Sequence, residues 1–285
     1  MKKFMKVAAI TGSIFFLIGL IVMIIGIGCG GIKDMREKSM AEVQRVMDKF
    51  EGIEIIDGIS ITFEGTDIFD DNKEFYTDGT YIVEECQASN LEVLVGAGEL
   101  EVKYHNKEYV SLEVKGDHKM QCYVENDTLK IKGGQVHSTN ASGKMIVYLP
   151  NDKTYNSVVM NVGAGNIEIE KLSGYDVDMN VAMGQIIVDE LETASLTVEV
   201  GMGNADLKGS VSQEVIVDCG MGQVTLELAG KGKDFNYNLD CGLGTLSVED
   251  VYYITGIGDS YVNNNASMEM DISVGMGTVT VHFEE

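Results

Sequence analysis

Apolar and polar residues along this chain follow three different patterns in turn. From Val7 to Gly31 the run VAAITGSIFFLIGLIVMIIGIGCGG carries no charge, enough for a membrane-spanning helix, which needs about 20 apolar residues. From Lys33 to Glu51, Val43, Val46, Met47 and Phe50 recur at helical spacing with charges between them, which predicts a short amphipathic helix beside the membrane. From Ile53 onward, short runs alternate apolar and polar residues, as in ISITF, LEVLV, ELEVKY, TLKIK and MIVYLP, with Gly, Asn and Asp between them. That is the signature of strands and turns. The expected organisation is a basic tail and anchor over residues 1–31, a juxtamembrane helix over 32–52, and an all-β region over 53–285.

Within the β region one motif recurs seven times: VGAGE at Val95, VGAGN at Val162, VAMGQ at Val181, VGMGN at Val200, CGMGQ at Cys219, CGLGT at Cys241 and VGMGT at Val274. Its last glycine is always present, as Gly98, Gly165, Gly184, Gly203, Gly222, Gly244 and Gly277. From Gly165 to Gly222 the interval is 19 residues each time, then 22, then 33. A fixed period near 20 residues predicts a repeat array. The expected fold is a parallel β-solenoid, a β-helix of about 19-residue two-strand rungs stacked about 4.8 Å apart. Residues 105–156 and 250–267 break the count and are expected to be inserted hairpins or loops.

Parity explains the motif. Leu196, Val198, Val200 and Met202 alternate, and the series resumes three residues on, at Ala205 and Leu207. A step of three in a period-two pattern marks a corner, and glycine suits a corner where backbones stack. The middle residues Ala97, Ala164, Met183, Met202, Met221, Leu243 and Met276 are then expected as one inward column, filled by flexible thioethers. Flanking valines and leucines favour core over a soft-metal site for copper. No helix and no third glycine follows the motif, so it is a structural corner and not a phosphate loop. Cys219 and Cys241 take the inward position on what the chain order makes neighbouring rungs, and are expected buried, adjacent and reduced.

Charge narrows the partners. From Gly52 onward there are 13 lysines, no arginine and 40 acidic residues, a surface that repels nucleic acid. At the N-terminus, Lys2, Lys3 and Lys6 precede the apolar run. A signal anchor over residues 7–28 places the β region outside the cytoplasm in a single-pass cell-membrane protein. A cleavable signal peptide is the alternative, since the uninterrupted core Ile14–Gly28 borders on the usual apolar length of about 7–15 residues. Cys29 after GIG is a faint lipidation signal, with Gly26 where such motifs carry leucine.

Candidate chemistry is sparse. His105, His118, His137 and His282 show no metal-ligand spacing, and DIFDDNKEF lacks the glycine of a calcium loop, Phe75 standing in its place. Asn161, Asn180, Glu199, Asp218 and Asp240 are expected as an outward column, where a carboxylate pair of glycosidase type is conceivable and plain solvation is the simpler reading. No catalytic, cofactor or metal residue is assigned, and no enzymatic activity is expected. Cys86 and Cys122 are isolated in the sequence, and five cysteines are too few for a disulfide framework.

The repeated VGxGxIxV strands, the MIVYLP strand at Met145–Pro150 and the basic-then-apolar N-terminus resemble the bacterial β-helix proteins provisionally labelled adhesins, a domain of unknown function, over about residues 80–285. The resemblance implies a membrane-tethered cell-surface domain, sometimes associated with envelope-stress signalling, and transfers no catalytic residue. The expected function is a non-enzymatic, adhesin-like interaction or scaffold module meeting surface glycan, matrix or a membrane sensor protein. The alternatives are an accessory of an envelope-stress sensing system and, third, an enzyme acting on surface polysaccharide.

Overall fold

The computed structural model describes residues 53–56, 60–63, 68–84, 86–135, 143–151 and 153–284. The anchor over 7–28 and the helix over 33–51 lie outside the described residues. Among the described residues no helix is long and apolar enough to cross a membrane.

Alternation of apolar and polar residues becomes strand nearly everywhere. A first hairpin pairs β1 (Ile53–Ile56) with β2 (Ser60–Phe63) as a sheet of its own. Then follow β3 (Tyr76–Val83), β4 (Asn90–Val95), β5 (Glu99–His105), β6 (Val110–Glu125), β7 (Thr128–Gln135), β8 (Lys144–Pro150), β9 (Tyr155–Val162) and β10 (Asn166–Ile169). After these come β11 (Leu172–Val181), β12 (Gln185–Val200), β13 (Asn204–Cys219), β14 (Gln223–Ala229), β15 (Phe235–Cys241) and β16 (Thr245–Val248). The chain ends with β17 (Tyr252–Thr255), β18 (Gly258–Val262), β19 (Met268–Val274) and β20 (Thr278–Glu284).

From β3 onward these eighteen strands form one sheet, folded over into two flanks that wrap a single apolar interior. Along one flank the neighbours run β18, β15, β19, β13, β12, β11, β9, β4, β7, β6. Along the other they run β17, β16, β20, β14, β13, β12, β10, β5, β8, β6. Strand β3 closes the β6 end. The 16-residue strands β12 and β13 belong to both flanks.

The parallel β-solenoid expected from the repeat is corrected on two findings. First, the sheet is mixed: β3–β6, β6–β7, β6–β8, β15–β18 and β16–β17 are antiparallel. Residues 105–156 and 250–267 supply much of that antiparallel structure and extend both flanks. Second, the strands do not follow chain order. The last pair, β19 and β20, lies between β13/β14 and β15/β16. The 19-residue offset is a local register only, setting Asn166 opposite Gln185, Gln185 opposite Asn204 and Asn204 opposite Gln223. Equal spacing makes strands stackable but does not say which stacks on which.

The interior is filled from both flanks. Val162, Val181, Val200 and Val274 face Ile167, Ile186, Ala205 and Val279, all buried. The β3 end is covered by the preceding segment. Phe69 is buried there, the Asp70 amide donates to Gln121 Oε1 at 2.9 Å, and Gln121 Nε2 donates to the Asp70 carbonyl at 2.7 Å. The Lys119 ammonium sits over the rings of Phe69 and Phe75 at 4.3 and 4.6 Å, a cation–π arrangement.

Candidate functional site

Each flank passes to the other through a Gly-X-Gly corner, and the corners stack into one edge of the molecule. Their backbones form a ladder: the Met183 amide donates to the Gly163 carbonyl, Met202 to Ala182, Met221 to Gly201, Met276 to Gly220 and Leu243 to Gly275, each at 2.7–2.8 Å. A side chain at the last glycine has no room. A Cβ on Gly184, Gly203, Gly222, Gly244 or Gly277 would lie 1.9–2.4 Å from the carbonyl oxygen of the corresponding glycine one strand along, and one on Gly165 would lie 2.5 Å from that of Gly98. Close approach is therefore the reason for glycine at these six positions. Gly98, at φ +100°, is the corner glycine that also needs the left-handed region.

The inward methionine column is corrected. Met221, Met276 and Leu243 are 38%, 39% and 49% exposed. Ala164 is exposed too, and Ala97, Met183 and Met202 are half-buried. The apolar alternation runs up to the residue before the motif, so Val95, Val162, Val181, Val200, Cys219, Val274 and Cys241 fill the interior. The middle residue then stands at the apex of the turn and points out. Parity locates a corner but does not say whether its apex counts as inside.

The result is an apolar ridge in the order Ala97, Ala164, Met183, Met202, Met221, Met276, Leu243, one side chain every 4.8 Å or so. It continues to Ile257, 69% exposed, beside the Gly256 amide that donates to the Gly244 carbonyl. On one side lies the column Asn161, Asn180, Glu199, Asp218, Ser273, Asp240, expected to face outward throughout but buried at Asn161, Asn180 and Glu199. On the other lies Glu99, Asn166, Gln185, Asn204, Gln223, Thr278, Thr245. An exposed apolar strip rimmed by polar residues is the usual mark of an interaction surface, and methionine adapts to partners of differing shape.

The thiols behind the ridge also depart from expectation. Cys219 and Cys241 are buried and in no disulfide, but both pair with Val274, which stands between them. Two strand steps place them about 9.6 Å apart, beyond the roughly 7 Å limit for a bridge without backbone movement. Cys122, isolated in the sequence, has its thiol pushed up to about 12, chiefly by burial and then by the charge of Cys86.

The opposite edge is charged and grooved. An open cleft of about 350 Å³ is lined by Lys171, Glu190, Glu192, Lys208, Glu227 and Glu284 among others, and joins a second of about 460 Å³ beside Tyr104 and Lys153. Part of its charge is paired: Lys208 reaches Glu284 at 2.7 Å and Glu227 at 3.2 Å. Neither of these two clefts is lined by Glu199 or Asp218. Glu99, Glu101 and Glu168 bring carboxylate oxygens within 4.8 Å of one another, the geometry a cation would need. There, however, hydrogen bonds from Lys103 and Lys144 already hold the Glu101 carboxyl below its usual range. His118 is buried, with Nδ1 3.2 Å from the Lys115 carbonyl. His282 pairs with Glu249 at 3.2 Å, and His105 stacks on Tyr148.

Comparison with known proteins agrees with the resemblance read from the VGxGxIxV strands. Residues 82–283 match the family described as Toastrack DUF4097, and the chain belongs to that family. Among solved structures, a provisionally named cell adhesion protein from Clostridium sporogenes shares 12% identity, covering 74% of this chain and 100% of its own, at a TM-score of 0.38. An adhesin, provisionally so named, from Parabacteroides distasonis shares 11% over 74% and 98%, at 0.33. A lipid binding protein from the same species, its name equally provisional, shares 14% over 73% and 97%, also at 0.33. Likeness at that level carries no argument about function. No curated protein matches the chain.

Proposed function

We propose that this Toastrack-family chain is an adhesin-like interaction module, tethered to the cell membrane through residues 7–28, with its β region outside the cytoplasm and no chemistry of its own. One observation carries this reading: the solvent-facing ridge of Met183, Met202, Met221, Met276 and Leu243, held at strand spacing by a hydrogen-bonded ladder of corners. A row of flexible apolar side chains on a fixed frame suits a protein partner better than a glycan, whose sugar faces call for flat aromatic platforms. A matrix protein and a membrane sensor protein both satisfy that chemistry. The second would make the chain an accessory of an envelope-stress system.

The test uses cells displaying the full chain, either unaltered or with Met202→Lys, Met221→Lys and Met276→Lys together. Attachment to surfaces coated with matrix protein or with surface glycan is measured beside an envelope-stress reporter. Loss of protein attachment or of the stress response in the variant, at equal surface display and melting temperature, supports the ridge. Attachment and stress response both unchanged would remove it, and glycan binding that survives all three lysines would move the site elsewhere.

A further inference from the structure

We infer that the end of the sheet formed by β17 and β18 is a docking surface for a second copy of this chain. The inference stands apart from the ridge reading, because it rests on strand edges and not on the corner methionines.

Each flank ends there on a strand with one partner: β17 pairs with β16, and β18 with β15. Among the described residues nothing pairs with the outer side of either, so both present unpaired backbone donors and acceptors. The interior comes to the surface between them, where Tyr252, Ile254 and Val262 are only half-buried against the core. Tyr253, Ile257 and Tyr261 around them are 71%, 69% and 70% exposed.

Edge strands are normally guarded by charge, proline, bulges or a covering segment. The β3 end has such guards. Its edge strand is broken by a register shift between Thr77 and Gly79, with Asp78 at φ +24°. Asp70, Asp71, Lys73, Glu74 and Glu84 flank it, and the Asp70–Gln121 hydrogen bonds fasten the preceding segment to β6 beside it. The β17–β18 end is guarded less: among the described residues its strands pair without a register shift and carry no proline, and charge is confined to Asp259 on β18 and to Glu249 and Asp250 before β17. From Val251 to Met268 the only charge is Asp259, in a β region with 40 acidic residues and 13 lysines.

That neutrality points to the chain itself as partner. Elsewhere the acidic surfaces of two copies repel each other, and here a single carboxylate, Asp259, leaves little to repel. A two-fold axis across this end also sets the edge strands of one copy antiparallel to those of the other, so the contact is self-complementary whatever the side chains. Both flanks and the apolar interior would continue across the junction. The β1–β2 hairpin is not the occupant. It joins the sheet through Ile68, which packs beside Gly96, seven strand steps or about 34 Å from this end. The five residues from Phe63 to Ile68 span about 18 Å at most.

The experiment takes the full chain in detergent micelles through sedimentation over a range of concentrations. A species of twice the chain mass is expected. Ile254→Lys with Val262→Lys, which point charge into the junction, should weaken that dimer by about tenfold or more, with the melting temperature checked in parallel. Should the pair unfold, copper-catalysed cross-linking in membranes decides, in a Cys29→Ser background. A cysteine from Tyr261→Cys should give dimer, and one from Thr80→Cys at the β3 end should not. A purely monomeric chain, a lysine variant that dimerises unchanged while folded, or equal cross-linking from both ends would each overturn the inference.

Discussion

The two long edges of the molecule turn the same chain by opposite means. At the ridge edge every reversal takes three residues, and the last of them must be glycine because the next carbonyl lies 1.9–2.5 Å from where a Cβ would be. At the far edge β12 and β13 run straight through, with register shifts between Val188 and Leu191 and between Thr193 and Ser195. There Thr193 Oγ1 donates to the Tyr175 and Ser195 carbonyls at 3.0 and 2.9 Å, and charged side chains fill the surface. The tight edge fixes backbone and frees the apex side chain. The loose edge spreads its turn over many residues, each of little consequence. Stability should be concentrated in the glycines of one edge, and recognition in the residues between them.

The largest effect should come from Gly203→Val, which drives a branched side chain into the Gly184 carbonyl and Val181. A loss of about 3 kcal/mol or more is expected from urea unfolding. Ser210→Val at the far edge should stay within about 0.5 kcal/mol, and equal midpoints for the two would erase the contrast. Next comes Met221→Ala. At an exposed apex it should cost about 0.5 kcal/mol or less, whereas a core methionine would cost about 2–5 kcal/mol. A loss in that higher range would put the column back inside.

Behind the ridge, Cys219 and Cys241 should resist thiol labelling until the protein unfolds, and intact mass should show no bridge between them. Rapid native labelling, or a mass lower by two hydrogens, would contradict the order of strands around Val274.

The smallest effects belong to the far edge. Lys208→Gln should leave the melting temperature unmoved at low and high salt alike, since exposed ion pairs contribute little. Glu249 is held below its ordinary 4.5, first by the Phe283 amide and then by His282. A carboxyl depressed on folding stabilises above its unfolded value and loses that contribution as pH falls through the folded one. Glu249→Gln should therefore cost a little stability at pH 7 and flatten acid destabilisation below pH 4.5, the two proteins converging at low pH.

Much of this was legible in the sequence, but unevenly. Alternation through Leu196, Val198 and Val200 announced strands, and the three-residue step to Ala205 announced the corner. Direction was lost at Met202, because period-two parity cannot tell an apex from an interior position. Long-range order was lost at Cys219 and Cys241. Any of the matching strands can pair with any other, and only the return of residues 268–284 decides which do. The hairpin turn at Asn126–Asp127, with φ +50° and +59°, was marked by its residue types. The strands it joins carry Met120, Cys122, Leu129 and Ile131 inside, but lie off the 19-residue count and so read as an insertion. The ridge was in plain view as residues and misjudged only in the way it faces.

The place of β19 and β20 bears on how the protein is made. Translation delivers the outermost strands, β15 to β18, before the pair that must separate them from β13 and β14. A nascent chain halted at Ala266 has a gap in its middle, with Cys219 and Cys241 free to take each other as false neighbours. Residues 268–284 thus act as a keystone set after the strands on either side of them. A truncation there removes an inner course of the wall, and the sheet cannot lock until that pair has been made.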